Sequence, residues 1–527
     1  MTTADHVIVG SGINALVAAA LLGRRGHRVL VLERNELIGG CIRTEEATAP
    51  GFLHDVMATT FVLFITSPGY AELGPELHKR GLAFADAQVP TGVLMPDGRS
   101  AVLRRDRGAN VAAFEAMRAG DGAAFARELD RMGADLPLIF ALLGGTLWSR
   151  PTLRLLAREA WRRGLRNLAA FFGETLGTAR AWLEQDFASE EMRALFAPWV
   201  LHAGLGPESA YSGQMAKVIA FALEAAGAPI VQGGAQNLLN AFAQLIRDQG
   251  GEIRTGADVA RVLCDATSGA ARGVQLAGGE EILARKGVIC SVTPHQLYER
   301  LLGGAALPSE VAEGVRRYRY GKGDMQIHYA LAAPPRWRNP ELGGVALLHL
   351  TPGLDGVSRA ANEAERGLLP AVPTICVGQP SALDPSRCPP GRAILWLQLP
   401  EAPRRIKGDA AGTIATPADG TWTEAVREQF ADRVEAILAS HIEGFHADVL
   451  ARRAYSPADL AAMNINLVDG DPYGGFCGLD QFFLWRPLKT SANHRTHVPR
   501  LYHIGASTHP GPGLGGGSGY LLAKAVG

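Results

Sequence analysis

The chain has 527 residues, 47% of them hydrophobic, with 52 basic against 52 acidic side chains and a formal net charge of zero. A length of this order builds two or three domains around sizeable cores, and the even charge balance excludes a basic nucleic-acid-binding field and an acidic disordered tail. The six cysteines (Cys41, Cys264, Cys290, Cys376, Cys388, Cys477) include no Cys-x-x-Cys pair, which argues against a zinc site and a disulfide framework and fits a reducing cytoplasm.

The N-terminal apolar segment lacks a basic leader and is broken by glycines and polar residues, so no signal peptide is expected. The longest later apolar stretch, Leu136 to Trp148, is too short to span a bilayer. The expectation is a cytoplasmic protein, soluble or attached to a membrane only at its surface.

Val7 to Val9 forms a short β-branched strand, Gly10-Ser11-Gly12 turns it, and Ile13 to Arg24 reads as a helix with Leu16, Val17, Ala20 and Leu21 on one stripe. Gly26 ends the helix, and Arg28 to Leu32 is a second strand closing on Glu33. This βαβ unit carries the spacing G-x-G-x-x-A. Gly10 serves the tight turn, Gly12 the approach of backbone to a pyrophosphate, and Ala15 the packing of helix on strand. The helix N-terminus, with Ile13 and Asn14 in its first turn, offers free N–H groups to phosphate. Glu33 follows Gly12 by 21 residues, where an acid binds ribose hydroxyls.

Glu33 alone leaves NAD and FAD both open. Immediately after it come Arg34, the pair Gly39-Gly40, and Arg43, in the pattern E-x(5)-GG-x-x-R-T. A second tight turn there extends the binding surface along the cofactor. The arrangement resembles the FAD-binding motif of the amine oxidase and phytoene desaturase superfamily.

Gly51 to Phe61 is mostly apolar but carries His54 and Asp55. Residues 108 to 199 read as mainly helical. Within them Pro151 to Phe172 sets Leu155, Trp161, Leu165 and Leu168 against Arg154, Arg158, Arg162, Arg163 and Arg166. That pattern suits a surface helix with a solvated basic face, or a helix lying on an anionic membrane. Nucleotide-domain patterning returns with a helix at Gln236 to Asp248, strands at Glu252 to Thr255 and Ala257 to Leu263, short antiparallel strands at Arg272 to Leu276 and Glu281 to Ala284, and a buried strand at Gly287 to Ser291. From Thr293 strand-like pieces (Asp324 to Ala332, Arg392 to Pro400) and a long helix (Trp422 to Ile442) read as a second, mixed domain inserted into the first. The chain closes with a strand at Leu501 to Ile504, the glycine-rich run His509 to Tyr520, and a helix from about Ser518. A run so placed, stiffened by Pro510 and Pro512, reads as a cofactor-cradling loop, not a tail.

Taken end to end, the chain resembles the FAD-dependent phytoene desaturase-like family, which includes carotenoid desaturases, desaturase-like β-carotene ketolases and a pyridine nucleotide-disulphide oxidoreductase domain protein. The resemblance rests on VIVGSGINALVAAA…VLERNELIGG, GFLHDV, QGGAQNLLNAFAQLI, LDQFFLWRP and LYHIGASTHPGPGLGGGSGY. The stretch DPSRCPPGRAILWLQ is similar to the ketolase branch.

The resemblance implies an α/β fold with a Rossmann-like, GR2-type FAD-binding domain (1–107, 206–292 and 479–527), a helical cap (108–205) and an inserted α+β substrate domain (293–478). It implies FAD contacts at Gly10, Gly12, Glu33, Arg34, Gly40, Arg43, Val259, Gly505, Ala506, Gly515, Gly516, Gly517 and Ser518. Ala506 stands where many members carry an acid, so backbone N–H must serve there. His328 stands where similar sequences often carry aspartate, which leaves the substrate class open.

The expected activity is removal of hydride from an apolar, isoprenoid-like or aromatic substrate. An oxidase or oxygenase using O2 and a redox-neutral or non-catalytic FAD protein remain as alternatives, with O2 or another electron acceptor as the oxidant. For a base the residues to consider are His54, His328 and Asp55, then His509, since histidine titrates near neutrality. Asp480 and Arg486 read as an ion pair near the cofactor. No HExxH, GxSxG or P-loop motif occurs.

Overall fold

In the computed structural model, which describes residues 2–303 and 307–526, strand β1 runs from Thr2 to Val9, helix α1 from Ile13 to Arg24 and strand β2 from Val29 to Leu32. Nearly every side chain of α1 is buried, because the helix is covered by the sheet on one side and by further helices on the other. Its alanine-rich sequence (Ala15, Ala18, Ala19, Ala20) permits that close approach.

β1 and β2 lie at the centre of a seven-stranded sheet. Six strands follow the order Val259–Cys264, Ala271–Leu276, Glu281–Ser291, β1, β2, Glu252–Arg254, and the seventh, Leu501–Ile504, pairs with Glu281–Ser291 off this path. The two strands expected within 281–291 are one strand with two partners in succession. Its first half pairs antiparallel with Ala271–Leu276, and its second half pairs parallel with Leu501–Ile504, Val288 opposite Leu501. The extreme C-terminal part of the chain is thereby threaded into the N-terminal domain.

The second sheet is also seven-stranded, in the order Val449–Tyr455, Gly323–Leu331, Ala393–Ala402, Ile375–Gly378, Val345–Leu350, Val89–Leu94, Ser100–Leu103. Its last two strands come from residues assigned by sequence to the first domain. Val89–Leu94 pairs parallel with Val345–Leu350, Val345 opposite Val89, so the substrate domain draws on two separated stretches of chain. Alternation divides the sheet cleanly. Met325, Ile327, Leu395, Leu397, Leu348 and Val377 face the long helix Glu424–His441. The opposite face carries Leu347, Cys376 and Trp396 into the core shared with the helical region.

That helical region includes Asp121–Leu143, a short 3-10 helix at Ala197–Ala203, and Ser212–Ala226, whose Ala216, Ala220 and Leu223 join the same core. The single basic helix expected over 151–172 is two helices, Arg150–Arg163 and Leu165–Thr175. They break at Gly164, which sits at φ 82°. Three sheet and helix layers therefore meet along one seam, and the candidate site occupies it.

Candidate functional site

The seam holds one continuous cavity with about 610 Å³ of water-accessible space, bounded by the nucleotide sheet, the second sheet and the helical region. That volume lies within the range of natural ligand sites. At one end it is a groove along α1. Gly10, Gly12, Ile13, Asn14, Glu33, Arg34, Gly40, Val259, Gly505, Ala506 and Gly515 to Gly517, all expected to meet the cofactor, line it.

The groove is organised by Glu33 at the end of β2. Its carboxylate accepts hydrogen bonds from the backbone N–H (3.1 Å) and hydroxyl (2.6 Å) of Ser11 and from the N–H of Asn35 (2.9 Å). The Ser11 hydroxyl in turn accepts from Gly39 N–H at 3.0 Å. The two glycine turns are thus tied side by side, Gly12 bridging to Gly39. Gly39 and Gly40 sit at φ 116° and 63°, and a Cβ at Gly39 would meet the Ile42 carbonyl at 2.5 Å. Only glycine satisfies both conditions. Beside Gly12 nothing lies within 4 Å of the Cβ position, and as the residue preceding α1 it caps the helix with no side chain. An uncapped helix N-terminus facing open space next to a ribose-competent carboxylate fits the pyrophosphate and adenosine half of a dinucleotide.

Three expected contacts fall elsewhere. Arg43 does not line the cavity and pairs with Glu45. Ser518 lies behind the wall, donating to Asn14 Oδ1 (2.9 Å) and accepting from Gly505 N–H (2.9 Å), so it splices the C-terminal helix Gly517–Val526 to α1. Arg486 is buried but does not meet Asp480. It donates to the carbonyls of Ala506 (3.0 Å) and Tyr473 (2.5 Å), while Asp480 pairs with Arg319.

The glycine run does line the cavity from Pro510 to Gly517, yet its tightest constraints are with protein. A Cβ at Gly516, φ 67°, would sit 2.6 Å from Val17 Cγ2, and one at Gly519 would sit 1.8 Å from the Asn14 carbonyl oxygen. The glycines serve the packing of the last helix on α1 as well as the cradle.

His54, Asp55 and His328 stand behind the wall and do not reach the cavity. The loop 56–58 covers them: His328 donates to the Val56 carbonyl (3.2 Å), and Trp396 Nε1 donates to the Met57 carbonyl (3.0 Å). The His54 and His328 rings pack edge to face at 5.1 Å. Burial pushes them down to about 2 and about 4, with the His328 ring further opposing charge on His54. Both rings are uncharged imidazoles near neutrality. Asp55 is a structural hub. It accepts from Thr44 (2.7 Å), Thr59 (3.2 Å), the N–H of Ala235 (2.9 Å) and fully buried Arg387 (3.0 Å). His509 donates to the Gly145 carbonyl and is likewise outside the lining.

The groups the cavity does present came from positions that carried no motif. On the substrate side its walls are Trp199, Leu205, Met215 and Ile219 of the helical region and Leu347 and Trp396 of the second sheet. Among them lies one buried carboxyl. Asp324 is 3% exposed, and its Oδ2 accepts from Gln326 Nε2 and Gln398 Nε2, each at 2.9 Å. Oδ1 has no hydrogen-bond partner among the described residues. Burial pushes Asp324 up to about 7, against the opposing pull of the two amides. The alternation Asp324, Gln326, His328 in an otherwise apolar strand was the available signal, and it marks the cavity-side face of the sheet.

The family model described as flavin containing amine oxidoreductase matches residues 16–431. Among curated proteins, the chain is 29% identical to the mouse (Mus musculus) pyridine nucleotide-disulfide oxidoreductase domain-containing protein 2, covering 99% of this chain and 93% of that one. It is 24% identical to a component of limonene dehydrogenase from Castellaniella defragrans (99% and 94% covered) and 26% identical to the zeta-carotene-forming phytoene desaturase of Myxococcus xanthus (96% and 90%). Solved structures of similar fold include an oxidoreductase from Methanosarcina mazei (16% identical, TM-score 0.62, both chains fully covered) and a putrescine oxidase (16%, TM-score 0.60, 99% of each). With the dinucleotide groove and the two-sheet architecture in agreement, the chain belongs to the flavin-containing amine oxidoreductase family and is an FAD-dependent oxidoreductase.

Proposed function

We propose that this enzyme is a dehydrogenase of the desaturase type, removing hydride and a proton from adjacent carbons of an apolar, isoprenoid-like or aromatic substrate. The observation that carries this reading is a cavity walled by Trp199, Met215, Ile219, Leu347 and Trp396 and continuous with the dinucleotide groove. Such walls bind hydrocarbon by excluding water. FAD, when bound in the groove, supplies the hydride acceptor. Asp324 Oδ1, unpartnered and held by the two glutamine amides on its other oxygen, is the group proposed to receive the proton. Names among the relatives, a limonene dehydrogenase component and carotenoid desaturases, favour a terpenoid hydrocarbon.

Substrate of this kind partitions into lipid, and the helical region offers a face suited to lipid contact. Trp161 is 93% and Leu165 77% exposed, Leu153 and Leu176 are exposed beside them, and Arg158 and Arg162 project from the same helix as Trp161. Phe140, also exposed, lines the cavity, which sets the mouth on the helical side. Among the described residues no helix is long and apolar enough to cross a membrane, so the contact proposed is peripheral.

The test is anaerobic mixing of FAD-loaded enzyme with monoterpene and carotenoid hydrocarbons in detergent. Bleaching of the flavin absorbance with formation of one new C=C bond is expected. Bleaching by amines alone overturns the reading, and fast reoxidation of the bleached flavin by O2 moves it to an oxidase.

A further inference from the structure

We propose that His202, His349 and Cys376 form a transition-metal site of the zinc class in the cavity wall, separate from the flavin groove. One ligand atom from each residue lies within 4.8 Å of the others. Three parts of the fold deliver them. His202 comes from the 3-10 helix Ala197–Ala203 and lines the cavity. His349 and Cys376 face each other across neighbouring antiparallel strands. The two imidazoles approach Nε2 to Nε2 at 3.0 Å.

In a tetrahedral site, zinc bonds of about 2.0–2.1 Å to nitrogen and about 2.3 Å to sulfur set ligand atoms roughly 3.3–3.6 Å apart. Binding therefore asks the histidine pair to open by a few tenths of an ångström. The surroundings leave the pair unsatisfied: His349 is 1% exposed, and its Nδ1 has no partner among the described residues. Whichever tautomer His349 adopts, a buried donor or acceptor is stranded beside a buried thiol. The two Nε2 atoms and the thiol sulfur converge where apolar side chains would otherwise fill the space, so the grouping points to a ligand. Two imidazoles and a thiolate suit Zn2+, and His202 brings the site to the cavity wall. The scattered cysteines gave no sign of this in sequence, because the ligands lie in three distant segments.

The site continues a polar row across the sheet: His349 is opposite Cys376, Cys376 opposite Gln398, and Gln398 opposite Gln326. A cation at one end and Asp324 at the other would act on a substrate lying along that row, the cation polarising an oxygen or π-bond as a Lewis acid. Binding converts the Cys376 thiol to thiolate and releases one proton to solvent.

The experiment uses the FAD-loaded full chain, stripped with chelator and titrated with Zn2+ against a chromogenic competitor, with Co2+ as spectroscopic stand-in. One equivalent is expected to bind, with release of about one proton and a thiolate-to-cobalt charge-transfer band. Cys376→Ser, nearly isosteric, and His349→Gln are each expected to weaken binding by at least about 100-fold, above the 10–100-fold typical of an outer-shell loss. Flavin absorbance in both variants is expected to remain. Substoichiometric binding, a cobalt complex without the sulfur band, or wild-type affinity in Cys376→Ser overturns the site.

Discussion

Replacing Asp324 by asparagine separates stability from chemistry. The carboxyl sits in a site that raises it from 3.8 to about 7 by burial. Its folded value exceeds its unfolded one, so the folded state binds the extra proton. Stability associated with the protonated form is complete below about pH 4 and is lost as pH climbs through about 7. At 1.36 kcal/mol per pH unit, the charged form costs the fold up to about 4 kcal/mol at pH 8. Asparagine keeps the shape and accepts from Gln326 and Gln398 but never ionises. The variant is expected to melt several degrees higher than wild type at pH 8 and within a degree or so at pH 4.5, by differential scanning calorimetry of the FAD-loaded protein. Turnover is expected to fall by about 10²–10⁴-fold, the range for loss of a positioned base. Wild-type flavin bleaching is expected to rise with pH through about 7, and the residual rate of the variant to be flat there. A variant destabilised equally at both pH values, or one retaining both rate and pH profile, refutes the assignment of Asp324.

Other perturbations test the surrounding frame. Gly519→Ala pushes a methyl to 1.8 Å from the Asn14 carbonyl and must part the last helix from α1. It is expected to cost about 3 kcal/mol through overpacking, plus about 1 kcal/mol for each Asn14–Ser518 hydrogen bond lost, and to release FAD, read by ultrafiltration and denaturant melts. Gly516→Val is expected to lose FAD while the second sheet stays folded, as followed by hydrogen exchange in Gly323–Leu331. Arg387→Met strands the carboxylates of Asp55 and Asp384 and is expected to destabilise by about 3–5 kcal/mol in urea unfolding. The double variant Trp161→Ser/Leu165→Ser is expected to abolish co-sedimentation with anionic liposomes, and charge reversal at Arg158 and Arg162 to weaken it. Each arginine contributes about 1 kcal/mol at an anionic surface. Unchanged partitioning in both discards the membrane face.

The nucleotide groove was legible in the sequence because its parts are local. Gly10, Gly12, Ala15 and Glu33 all fall within one βαβ unit, and backbone geometry ties their spacing to their task. The glycine run near the C-terminus was legible as a loop with a purpose, since Leu501–Ile504 ahead of it and the helix behind it fix both ends. The substrate side was not. Histidines 54 and 328 drew attention by residue type, but whether a strand's polar face meets a cavity or a covering loop depends on what packs above it, here residues 56–58. The same strand presents Asp324 to the cavity only two turns of the pleat away. Likewise His202, His349 and Cys376 come from three distant stretches of sequence and meet because a 3-10 helix crosses the sheet at one row. Sequence by itself determined the cofactor half of this protein, where chemistry is read by backbone within a single local unit. Only the tertiary structure decided the reactive half, where long-range packing sets which buried groups face open space and which are sealed.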